Sequence, residues 1–188
     1  AVIKYEVRAP KVRQMQDLFT RVVDVAKGAA LMTGTQMRFD VTMAFSDYVP
    51  NKTLAAVMDE CLRSAGAPDW DDADYKLATD FLRSYSKHTL ANIREALTEY
   101  FAPNELDEAL MAPLDKAVHP FNPRETGYES GSTDVGDVGY ITPTVMLHVA
   151  TACLGNVGHT WQNTAFSCSS IGMKGMLRAA QVMAMACV

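Results

Sequence analysis

The 188-residue chain has no C-x-x-C pair, and its four cysteines, Cys61, Cys153, Cys168 and Cys187, are scattered. That spacing excludes a zinc ribbon or a disulfide scaffold and is expected of buried thiols in a reducing cytoplasm. Positive charge is not in excess either. With 17 Lys and Arg against 22 Asp and Glu, the net charge is -5, so a nucleic-acid partner is not expected. No apolar run reaches the ~20 residues of a membrane span. Residues 135–157 come closest but are broken by Asp137, Pro143, His148 and several glycines. Internal repeats and low-complexity tracts are also missing. What is present is 48% hydrophobic residues, enough for one sizeable core or two small ones.

The chain opens on Val2-Ile3-Lys4-Tyr5-Glu6-Val7-Arg8, whose alternation predicts a half-buried antiparallel strand. A first strand needs a neighbour, so this start predicts a fragment or the downstream part of a longer chain. After Ala9-Pro10, the apolar stripe Val12, Met15, Phe19, Val22, Val23, Ala26 and Ala30 predicts a helix to about Leu31, with Gly34 as a left-handed cap. Alternation returns over 36–45, through Met37, Phe39, Val41 and Met43. Strand, helix and strand together predict part of an open-faced two-layer α/β sandwich. Beyond Asn51 the texture is helical, at 53–64, 74–86 and 89–100. Prolines 103, 113, 120 and 123 then predict a wandering loop with a short helix at 104–111. A buried strand near 145–149 and a last helix over 169–185 complete the reading.

The stretch Gly131-Ser132-Thr133-Asp134-Val135-Gly136-Asp137 sets glycines, hydroxyls and two carboxylates at a turn, and Gly158-His159-Thr160-Trp161 supplies a histidine in a second turn. Glycines allow close approach to a ligand, and Asp with His suits zinc or a similar divalent ion. Each residue also has a plainer reading. Asp59-Glu60 and Asp71-Asp72 read as solvated surface. His88 and His119 read as loop histidines, and His148 as a hydrogen-bonded core histidine. His159, expected straight after a buried strand, is either a ligand or an ordinary turn residue. Arg8 is either a rim charge or a fork aimed at a carboxylate.

Five blocks carry a resemblance that runs along the whole chain in the right order. They are Tyr5-Glu6-Val7-Arg8-Ala9-Pro10, the run from Ala26 to Thr35, Val49-Pro50-Asn51, the run from Gly131 to Val138, and His159-Thr160-Trp161-Gln162. They resemble the aminobenzoyl-glutamate utilization protein B group of the zinc aminoacylase and carboxypeptidase metallopeptidases, in its second half only. The resemblance implies that residues 1–46 end a lid (dimerisation) domain and that 47–188 return into a catalytic α/β domain. It implies hydrolysis of an amide bond in a small N-acyl amino acid, aminobenzoyl-glutamate or a dipeptide, by water held between two zinc (or manganese) ions. By motif position, His159 resembles a metal ligand, Arg8 the arginine that grips the substrate carboxylate, and Thr133 and Asp134 a loop beside the metals that binds substrate. The implied partner is a second copy or a paired subunit, with no nucleic acid and no membrane.

The departures are as informative. No histidine here is followed by x-Asp, and there is no Glu-Glu pair, whereas the family's first metal site uses both. The resemblance therefore implies a parent enzyme, with this chain alone incompetent and weak or empty in metal. The alternative is a non-catalytic binding or dimerisation fragment of the same fold.

Overall fold

A computed structural model describes residues 1–119, 121, 131 and 133–187. Eight helices lie among them: α1 (Val12–Thr33), α2 (Lys52–Ala65), α3 (Asp72–Arg83), α4 (Lys87–Leu97), α5 (Pro103–Met111), α6 (Val135–Gly139), α7 (Trp161–Ser167) and α8 (Ser170–Ala186). None is long and apolar enough to cross a membrane. The chain divides into two units, Ala1–Leu54 with Asn122–Val145, and Ala55–Phe121 with Met146–Val188. Pro120, the end of the proline-rich loop at 122–130, Ser132 and Val188 fall outside the described residues.

In the first unit, α1 forms where the periodicity places it and stops at Gly34, whose φ of 64° caps the helix. All seven residues of the expected stripe are half-buried, yet none is fully buried. Phe19 of that stripe meets Phe39 edge-on, with ring centroids 5.8 Å apart. The N-terminus of α1 is held from a distance: the Asp47 carboxylate accepts from the Val12 amide at 3.2 Å and from Lys11 Nζ at 2.8 Å.

The expected α/β sandwich is not formed. Among the described residues there is no strand and no sheet, in the lid segment or in the segment read as a catalytic α/β domain. Residues 2–8 and 36–45 carry no regular secondary structure, and Val2, Ile3, Tyr5, Val41 and Met43 stay exposed. Residues 145–149 likewise carry no regular secondary structure, and His148 is exposed rather than in a core. Alternation is a property of one segment, whereas a strand needs a second edge to exchange N–H and C=O bonds. Period-2 patterning alone therefore did not make a sheet.

The second unit holds the core. Ala78, Leu114, Cys153, Phe166 and Ile171 are buried together, with Trp70, Tyr75 and Phe81 against them, and Phe81 and Phe166 have ring centroids 4.3 Å apart. Leu82, Tyr85 and Ile93 form a neighbouring cluster where α3 turns into α4. These clusters fix α3, α4 and α7, and so fix the turn that precedes α7.

Candidate functional site

The segment from Gly155 to Gln162 reverses the chain and starts α7. Gly155 takes φ 74° and His159 φ 59°, and His159 is the one non-glycine residue in the left-handed region among the described residues. Histidine is one of the few side chains enriched there, at a modest steric cost. The next residue, Thr160, caps α7. Its Oγ1 accepts from the Asn163 amide at 3.3 Å and donates to the Val157 carbonyl at 2.8 Å. His159 is thus held on a short arc between a capped helix and a tight turn, and it is exposed. The histidine turn expected from the sequence exists, but what precedes it is a segment without regular secondary structure, not a buried strand.

Two consecutive residues after α3 hold this arc from both sides. The Tyr85 hydroxyl accepts from the Val157 amide at 3.0 Å and donates to Asn156 Oδ1 at 3.4 Å. Asn156 Nδ2 in turn donates to Asn163 Oδ1 at 2.6 Å. Ser84 Oγ accepts from Nε2 of the buried Gln162 at 3.0 Å. None of these partners was legible in the sequence, because Tyr85 and Val157 are 72 positions apart.

The glycine-rich stretch belongs to the first unit, where most of its contacts are structural. A Cβ on Gly136 would stand 2.1 Å from the Ser46 carbonyl oxygen, so only glycine lets α6 lie on that backbone. Asp137 accepts from the Ser46 amide at 2.9 Å, and Thr133 Oγ1 accepts from the Val135 amide at 3.3 Å. Asp134 stands at the N-cap of α6 with its side chain exposed and not bonded to the helix. Tyr140 donates to Asp47 at 3.2 Å, and Tyr140, Lys11, Arg13 and Gln16 line an open groove there. The Lys11 bond, outweighing partial burial, holds the Asp47 carboxyl below the usual carboxylate range. Arg8 lies exposed in the N-terminal segment of the same unit. Arg8, Thr133 and Asp134 therefore share one unit, and His159 belongs to the other.

A buried carboxylate was missed altogether. Asp74 is fully buried, closes a capping box with Asp71, and accepts from Ser170 Oγ and Lys174 Nζ of α8. Burial alone would raise its pKa, but the bonds from Lys174, Ser170 and the Asp71 backbone outweigh it and hold the group below the usual range. Its one sequence signal is Asp71-x-x-Asp74 at a helix start, a capping pattern that says nothing of α8. The network is an anchor between α3 and α8. Cys153 is equally inert, its thiol pushed up to about 12 by burial.

A resident metal finds no ligand set here. Among the described residues no group of three or more His, Cys, Asp or Glu side chains is placed to hold an ion. Zinc sites draw on three or four protein ligands, so the described residues do not make one by themselves.

No family model and no solved structure matches the chain. Over 187 residues it is 32% identical to the B-type subunit of the p-aminobenzoyl-glutamate hydrolase of Escherichia coli (strain K12), covering 98% of this chain and 39% of that protein. The chain thus spans well under half the length of the curated relative it matches. The similarity bears out the resemblance carried by the five sequence blocks.

Proposed function

We propose, from the premise that this chain is a homologue of a p-aminobenzoyl-glutamate hydrolase subunit over 98% of its length, that it is the C-terminal portion of an amidohydrolase. The reaction is addition of water across the amide of p-aminobenzoyl-glutamate, or of a similar N-acyl amino acid or dipeptide, releasing the acid and the amine. In this reading the Arg8 guanidinium grips the substrate carboxylate through paired N–H donors. Thr133 and Asp134 lie beside the substrate. His159 offers its imidazole to a zinc or manganese centre in the intact enzyme, and the remaining ligands come from outside this chain. The relative is named as a subunit, so a second copy or a paired chain is the proposed partner.

The observation that carries this reading is the 32% identity with a hydrolase subunit over 98% of this chain. The exposed, left-handed His159 at the start of α7 supports it, since strained backbone gathers at functional positions. The test is hydrolysis of p-aminobenzoyl-glutamate by the purified full-length protein that carries this segment, alongside the 188-residue chain. The full-length protein should cleave the substrate and lose activity to a chelator, and His159→Ala should abolish cleavage. The isolated chain should stay at background with added zinc or manganese. Tight binding of N-acyl amino acids without cleavage by the full-length protein would replace the enzyme with a non-catalytic binding protein.

A further inference from the structure

We infer that Tyr85 is a positioning residue for His159, holding the turn that sets the imidazole in place. The inference rests on the reading of His159 as the functional imidazole of this segment. Tyr85 is buried with Leu82 and Ile93, so its ring is fixed by packing and its hydroxyl reaches the turn from a rigid base. That one oxygen accepts from the Val157 amide and donates to the Asn156 side chain, two and three positions before His159. The same cluster closes on the turn at Gly155, where a Cβ would stand 2.3 Å from Ile93 Cγ2. On the far side, Ser84 holds Gln162, three positions after His159. The left-handed backbone at His159 is disfavoured for a residue bearing a Cβ, so the arc persists because it is held at both ends. Releasing the Tyr85 end lets His159 relax toward the more populated negative-φ regions. The ring then loses its direction, although nothing that touches substrate has been removed.

The experiment compares wild type with Tyr85→Phe, which keeps the buried ring and deletes only the hydroxyl. The NMR spectrum of the full 188-residue chain reports retention of fold directly. Expected in Tyr85→Phe are faster exchange of the Val157 amide and a change in the φ-sensitive backbone coupling of His159, with the Leu82 and Ile93 amides unchanged. Asn156→Ala, which removes the acceptor of the Tyr85 hydroxyl, should move the His159 coupling the same way. In the full-length protein, Tyr85→Phe should lower kcat about 10- to 100-fold, the range seen when a group supporting a functional residue is removed, with little change in KM. An unchanged His159 coupling in both variants overturns the inference, whatever the protein hydrolyses. A released turn with undiminished kcat, in a protein that His159→Ala inactivates, also overturns it and leaves the hydrolase reading standing. A fully active His159→Ala would instead sink the assignment of His159.

Discussion

Gly136 and Ser46 touch through their backbones so closely that a methyl group on the first would stand 2.1 Å from the carbonyl oxygen of the second. This contact joins α6 to the segment that caps α1, and it is anchored by Asp137, whose carboxylate accepts from the same Ser46. The glycine-rich stretch is therefore a docking element as well as a candidate substrate loop.

Gly136→Ala should destabilise the protein by about 1–3 kcal/mol, because a backbone atom cannot yield as a flexible side chain can. Gly131→Ala is the control, since a Cβ there meets nothing within 4 Å. Urea unfolding followed by circular dichroism should separate the two variants. Equal midpoints would show that α6 does not rest on Ser46.

Asp47 performs the capping that Lys11 does not, accepting from Val12 at the first turn of α1. Asp47→Ala should cost about 1 kcal/mol, as lost caps do, and should speed exchange of the amides at 12–15. Protection left intact at those positions would mean that the first turn is held by something else.

Asp74 predicts an acid-sensitive anchor. Its folded pKa lies below the unfolded value, so its contribution is fully present above about pH 4 and is lost as pH falls through the folded value. Asp74→Ala should cost roughly 3 kcal/mol near neutral pH, toward the low end for a buried pair because the Lys174 side chain is 32% exposed. Unfolding midpoints measured from about pH 6 down to about pH 2 should fall less steeply in Asp74→Asn than in wild type. Parallel curves would remove Asp74 from the acid transition.

Arg8 separates recognition from structure in the proposed enzyme. Arg8→Ala in the full-length protein should raise KM for substrates with a free α-carboxylate, by about 1.5–3 kcal/mol in kcat/KM, with kcat little changed. An equal loss on the carboxamide analogue would make Arg8 a structural residue.

Thiol labelling gives a check on the core. Cys168 and Cys187 are exposed and should react with a disulfide reagent at about pH 8, whereas Cys153 is buried with its thiol pushed up to about 12. Cys153 should react only as the protein unfolds. Rapid labelling of Cys153 under native conditions would contradict the packing around Phe166 and Ile171.

The helices were legible from local order. The stripe from Val12 to Ala30, the stop at Gly34 and the last helix near 170–186 depend on 3.6-residue periodicity and end chemistry, which a single segment carries within itself. The turn at His159 was legible too, from the flanking Gly158, as was the kinship in the ordered blocks. The expected strands did not form, because the alternation of Ile3, Tyr5 and Val7 lies within one segment and cannot supply a second edge. Asp74 read as an ordinary helix-starting residue until α8, 96 to 100 positions on, closed over it with Ser170 and Lys174. Tyr85 likewise acquired its meaning from Val157, 72 positions away. Propensity and periodicity act within a few residues, and the sequence determined what they control. Burial, charge pairing and the clamp on His159 arise between distant segments, so only the tertiary structure decided them.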